Sequence, residues 1–250
     1  MNSRPMIWRV LVILFLLAPV ARAEVVIFAA ASLKEPVDQI FAGRDDVIMS
    51  YGGSGMLARQ VALGAPADIV LLANAAWMDV LIEAGHVMPE TVRDFASNRM
   101  VLIGPAGADP VQLEASAIDQ ALGQGRLATG LTQAVPAGIY GREALVALGL
   151  WDTVADRLAE VDSVRAALVL VARGQAPLGI VYQTDLRISD AVQPLAVFPT
   201  VSHAPIRYTG ALTVGSKAEA AGVLDAILSD AGQATFAAAG FLPPATFAHD

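Results

Sequence analysis

In the stretch Ile27-Phe28-Ala29-Ala30-Ala31-Ser32-Leu33 an apolar run ends in three alanines and a serine. Beyond it, apolar residues at 33, 37, 40 and 41 share one helix face, so Val25 to Ala29 reads as a buried strand and Leu33 to Phe41 as a helix. Ser32 then sits at the joint, where serine is a favoured N-cap. A helix start carries unpaired N–H groups and partial positive charge, and three alanines leave room for a small anion to reach them. Most serines at such joints only cap their own helix, so the rest of the chain has to decide between the two roles.

Working outward, the same grammar repeats. Val47 to Tyr51 reads as a strand, Gly55 to Leu63 as a helix stopped at Gly64, Asp68 to Leu72 as a strand, and Asn74 to Ala84 as a helix capped by Asn74 and stopped at Gly85. Strands alternating with helices at this spacing predict an α/β fold with a mostly parallel sheet. Arg99 to Ile103 is a further strand, and the cluster from Gly104 to Pro110 is the expected first crossing into a second lobe. There Leu127 to Thr129 reads as a strand, Pro136 to Leu148, Asp152 to Ala159 and Ser163 to Ala172 as helices, and Gly179 to Tyr182 as a strand. Strands are expected over Val192 to Phe198 and Ile206 to Val214, the latter returning to the first lobe, where Ala218 to Leu228 and Ala231 to Ala239 add helices. The expected division is 24–104 with 205–250 in the first lobe and 105–204 in the second.

Upstream, Met1 to Ala23 has Arg4 and Arg9, an apolar run from Val10 to Ala21, and Ala21-Arg22-Ala23. This is the order of a secretory signal peptide, with cleavage expected after Ala23, and the run is shorter than the roughly 20 residues a bilayer span needs. The absence of cysteine excludes a lipoprotein anchor, disulfides and thiolate metal sites. Without the leader, 13 basic side chains face 24 acidic ones, a net charge of −11. Nucleic acid and anionic membrane surfaces need a basic face that such a chain lacks. An anionic ligand would have to be held by local dipoles against the global field.

Four more places could carry chemistry. Ser54 opens a helix after Gly52-Gly53, where glycines let a backbone come close. Gly53-x-Gly55-x-x-Ala58 mimics a dinucleotide fingerprint but follows the second strand, and Gly52-x-Ser54 mimics a nucleophile elbow whose last glycine is replaced by Met56. A serine hydrolase would also need a base, and His86, His203 and His249 all lie in polar, surface-like contexts. Pro136 sits at the first turn of its helix, leaving the N–H groups of Ala137 and Gly138 free beside small side chains. Asp162-Ser163-Val164-Arg165 opens another helix, and Tyr182 ends an otherwise aliphatic strand. Four helix starts at roughly half a charge each could offset about two negative charges. No Asp, Glu, His or Cys cluster with metal-ligand spacing accompanies them. Arg59, Arg142 and Arg165 read as solvated or salt-bridged surface residues.

Taken together, Phe28-Ala29-Ala30-Ala31-Ser32-Leu33, Ser54 to Gln60 with Gly64-Ala65-Pro66-Ala67-Asp68, Val135-Pro136-Ala137-Gly138-Ile139-Tyr140, Val164-Arg165 and Ala176-Pro177-Leu178-Gly179-Ile180-Val181-Tyr182 resemble, in order, the periplasmic molybdate-binding proteins of ABC transporters. The resemblance implies a two-lobed type II periplasmic-binding-protein fold with a hinge and a ligand cleft. It implies a tetrahedral oxyanion, molybdate or tungstate, held by Ser32, Ser54, Ala137, Val164 and Tyr182 without direct metal ligands. It also implies a periplasmic monomer that needs no cofactor and delivers its anion to a membrane permease. The chain departs from the pattern in having glycines on both sides of Ser54 and Leu72-Ala73-Asn74 where relatives often end the strand in Ser-Ala. A binding protein for sulfate or another small oxyanion and an exported serine hydrolase using Ser54 are the competing expectations.

Overall fold

The computed structural model describes residues 24–244. The leader and its expected cleavage after Ala23 lie outside the described residues. Two five-stranded sheets organise the chain. In the first, β1 (Val25–Ala30) lies between β2 (Val47–Gly52) and β3 (Ile69–Leu72), all parallel, followed by the reversed β10 (Tyr208–Leu212) and then β4 (Arg93–Ala96). The second runs β7 (Leu158–Val161), β6 (Leu127–Gly130), β8 (Leu178–Tyr182), β5 (Met100–Pro105), β9 (Val192–Val197), with β5 the reversed strand. Each sheet therefore has four strands running one way and a single strand, fourth in its order, running back.

Continuous apolar runs account for the buried centres: all four residues of β3 and all five of β8 are buried, as expected of strands covered on both faces. The helices are α1 (Lys34–Ile40), α2 (Ser54–Ala62), α3 (Ala75–Glu83), α4 (Ala115–Leu122), α5 (Pro136–Ala147), α6 (Trp151–Val154), α7 (Val164–Ala172), α8 (Ala220–Leu228) and α9 (Asp230–Ala238). Asn74 caps α3 by accepting the Trp77 N–H at 3.3 Å, and Gly64, Gly85 and Gly174 end their helices at positive φ. In the first lobe Phe236 and Phe241, from the C-terminal region, pack edge to face beside Phe95 and Tyr208. Among the described residues no helix is long and apolar enough to cross a membrane.

Two expectations change. The strand from Met100 pairs with β8 and β9 and belongs to the second lobe, so the chain crosses at Asn98 and Arg99 rather than at Gly104–Pro110. That cluster only turns the chain out of β5, where Ala106 N–H bonds the Ala191 carbonyl. The helix expected over Asp152 to Ala159 stops at Val154, and Leu158–Val161 is the edge strand β7, aligned by β6 beside it. A short amphipathic run can adopt either form, and here tertiary pairing decides. The Arg93–Ala96 strand and helix α4 had no expectation attached to them.

Candidate functional site

Ser32, Ser54, Ala137, Val164 and Tyr182 line one small cavity between the lobes, together with Ala30, Ala31, Gly52, Gly53, Ala73, Val135 and Pro136. Its volume is about 10 Å³, room for the centre of one water-sized sphere, so the lobes are closed on one another. No lysine, arginine, histidine, aspartate or glutamate is in the lining.

The two serines reach it in ways the sequence did not foretell. Ser32 is not an N-cap: Ala31–Leu33 form a 3₁₀ turn leading into α1, and no side chain caps either start. Its hydroxyl instead meets the Tyr208 hydroxyl at 3.1 Å. Ser54 is the first residue of α2, behind the cap residue Gly53, and its Oγ accepts the Ala73 N–H at 3.0 Å. With that lone pair taken, the Ser54 proton is free for the cavity.

From the second lobe come main-chain donors. Pro136 is the first residue of α5 and Val164 the first of α7, the latter capped by Ser163, which accepts the Ala166 N–H at 3.2 Å. The N–H groups of Ala137 and Val164 fall in the first turns, which have no intrahelical acceptor. Gly138 does not line the cavity; a Cβ there would collide with the Gly130 carbonyl, so its smallness seats α5 on the end of β6. Tyr182 is 1% exposed and its hydroxyl has no hydrogen-bond partner among the described residues, although Tyr208 lies beside it with ring centroids 5.9 Å apart. Burial first, and then Tyr208, Tyr140 and Asp185 nearby, push its ionisation well above the ordinary tyrosine range, so it stays a neutral O–H donor.

Closure is visible in four contacts. A Cβ at Gly53 would collide with the Asp162 carbonyl, and one at Gly55 with the Ala134 carbonyl and the Trp77 ring. These glycines thus admit the opposite lobe's backbone, not only a ligand. Trp77 Nε1 donates to Ala134 O at 3.0 Å. Arg165, expected at the surface, crosses the cleft: Nη2 lies 2.5 Å from Glu35 Oε2 and 3.4 Å from the Ser32 carbonyl, while Nε pairs with Asp185 Oδ1 at 2.9 Å. Asp185 is fully buried and also accepts the Tyr182 N–H at 2.9 Å. Burial raises its carboxyl to about 6, against the lowering effects of Arg165 and that N–H. Sequence reading missed Trp77, Asn98 and Tyr208 because each acts through a partner far along the chain, and Asp185 because its pairing with Arg165 needs the fold to bring α7 beside the end of β8.

Residues 25–242 match the family model described as bacterial extracellular solute-binding protein. The chain is 39% identical to the molybdate-binding protein ModA of Haemophilus influenzae, covering 88% of this chain and 91% of that protein. It is 38% identical to the molybdate-binding protein ModA of Escherichia coli, covering 77% and 78%. Among solved structures, the periplasmic molybdate-binding protein of Azotobacter vinelandii superposes with a TM-score of 0.74 at 26% identity, covering 89% of this chain and all of that one. The sulfate-binding protein SubI of Mycobacterium tuberculosis, at 18% identity and a TM-score of 0.70, shares the fold. With its two sheets, its inter-lobe cavity and these matches, the chain belongs to the bacterial extracellular solute-binding proteins.

Proposed function

We propose that this protein captures molybdate, and tungstate alongside it, in the inter-lobe cavity and presents it to the membrane permease of an ABC transporter. The observation that supports this reading is that Ser32, Ser54, Ala137, Val164 and Tyr182 line one cavity without a charged lining residue; in this reading the three hydroxyls and the N–H groups of Ala137 and Val164 are its donors. A ring of donors suits a fully deprotonated dianion. A protonated anion such as hydrogen phosphate would turn its O–H toward donors and leave polar groups unpaired, at a cost of about 1–3 kcal/mol. Sulfate, fully ionised as well, is excluded only by size, through the closed distance between the lobes. The buried Tyr182 hydroxyl supports the reading further, since a buried donor without a protein partner is stabilised by an anion that accepts from it. The hydrolase alternative lacks a base in the cavity lining. A periplasmic location fits a family of extracellular proteins. A monomer, cut after Ala23, completes the proposal.

The test is calorimetric titration of the purified protein with molybdate, tungstate, sulfate and phosphate. Molybdate and tungstate are expected to bind far more tightly than the other two. Tyr182→Phe should weaken molybdate binding by roughly 10- to 100-fold while the ligand-free melting temperature holds or rises, because an unpaired buried hydroxyl has been removed. Sulfate binding as tight as molybdate binding would overturn the ligand assignment, and undiminished affinity in Tyr182→Phe would overturn the site.

A further inference from the structure

The polarity of the Ser32 hydroxyl is set from outside the cavity. Asn98, at the first crossing between the lobes, accepts the Arg99 N–H through Oδ1 at 2.9 Å, which fixes the orientation of its amide. Its Nδ2 therefore points the other way, donating to Thr184 Oγ1 at 2.8 Å and to Tyr208 Oη at 3.3 Å. An amide nitrogen can only donate, so the Tyr208 oxygen is an acceptor in that bond; Ser32 Oγ lies 3.1 Å away in a bond that either hydroxyl can donate, and giving it the Tyr208 proton leaves every group of the chain satisfied. Ser32 Oγ is then an acceptor toward Tyr208, and the Ser32 proton is left for the cavity. Ser32, Asn98, Thr184 and Tyr208 are each 5% exposed or less, so bulk water does not compete for these bonds. The Tyr208 ring is held by Phe95, Tyr182 and Phe241, so its hydroxyl oxygen stays beside Ser32 and Asn98.

We infer that Tyr208, anchored by Asn98, is a specificity-determining positioning residue that locks Ser32 as a donor and so excludes anions carrying a proton. The inference rests on the oxyanion reading of the cavity. Tyr208 does not line the cavity and acts only through Ser32. Without the Tyr208 hydroxyl, Ser32 can rotate and offer a lone pair inward, which a protonated oxyanion can use and a dianion cannot.

The experiment measures a ratio of affinities, molybdate over inorganic phosphate, by calorimetry at one pH and ionic strength. It compares the wild-type protein, Tyr208→Phe, Ser32→Ala and the double variant. Tyr208→Phe keeps the packed ring, and a ratio of two affinities on one sample does not depend on the folded fraction. The ratio is expected to fall by about tenfold or more in Tyr208→Phe, with molybdate weakened and phosphate held or strengthened. On the Ser32→Ala background the same change should leave the ratio where it stands, since no hydroxyl remains to orient. A ratio unaltered by Tyr208→Phe overturns the inference, and so does an equal fall with and without Ser32, which would mean that Tyr208 acts through packing. Loss of the oxyanion reading itself has a separate signature: no measurable molybdate binding in the wild-type protein.

Discussion

In the first lobe the cavity is met by the hydroxyls of Ser32 and Ser54, each already tied to a protein group, Tyr208 and the Ala73 N–H. In the second it is lined by the first turns of α5 and α7, whose N–H groups are the proposed donors, and by Tyr182, whose buried hydroxyl has no hydrogen-bond partner among the described residues. The lobes share one strand plan but divide the work. The first supplies side chains whose polarity is set by their neighbours; the second supplies dipoles fixed by the backbone. Side-chain replacement can therefore disable the first lobe's donors but leaves most of the second lobe's intact, and disturbing closure removes the second lobe's donors together.

The largest expected effect comes from that last route. The three atoms nearest a Cβ at Gly53 are the Asp162 carbonyl oxygen and carbon and Val135 Cγ2, all in the second lobe. Gly53→Ala should therefore leave the open first lobe undisturbed and prop the cleft apart, taking the donors of Ala137, Val164 and Tyr182 out of reach. Two lost bonds to a charged ligand already amount to about 3 kcal/mol, so molybdate affinity should drop by roughly 100-fold or more at an unchanged ligand-free melting temperature. Small-angle scattering should show wild-type compaction on adding molybdate and none in the variant. Wild-type affinity in Gly53→Ala would mean that this seat does not set the closed distance.

A smaller effect separates the two kinds of donor directly. Val164 is the first residue of α7, where proline is well accommodated, and Ser163 before it is already extended at φ −155° and ψ 158°. Val164→Pro deletes an N–H while preserving the helix, and should cost roughly 10- to 100-fold in molybdate affinity with little change in melting temperature. Ser54→Ala should lose a similar factor but also strand the buried Ala73 N–H, lowering stability by about 1–3 kcal/mol in denaturant unfolding. Equal stability losses in the two variants would erase the distinction between the lobes.

What could be read from the chain follows the same division. Helix starts are local events, so Pro136, Ser163 and the small residues around them pointed to segments of the second lobe that line the cavity, and the alanine-serine joint pointed to Ser32. The controls on those donors are not local. Ser32 and Tyr208 are 176 positions apart, and Arg165 lies 130 positions from Glu35. The lobe boundary was misplaced for a related reason: glycine and proline mark where a strand ends, whereas which sheet a strand joins depends on partners such as β8 and β9, which follow much later in the chain.

The smallest expected effect tests whether the arginine bridge belongs to the holding of the anion or only to the rim. Glu35 has 46% of its side chain exposed and Arg165 18%, so water and salt screen the pair strongly, and an exposed pair of this kind contributes about 0.2–1 kcal/mol. Arg165 keeps its second partner, the buried Asp185, when Glu35 is changed, so it does not swing away from the cleft. Glu35→Gln should therefore weaken molybdate binding by no more than about fivefold at low ionic strength, and the difference should vanish in high salt. A loss as large as that of Val164→Pro, persisting in high salt, would place the bridge among the principal determinants of closure and narrow the contrast between a cavity of neutral donors and its charged rim.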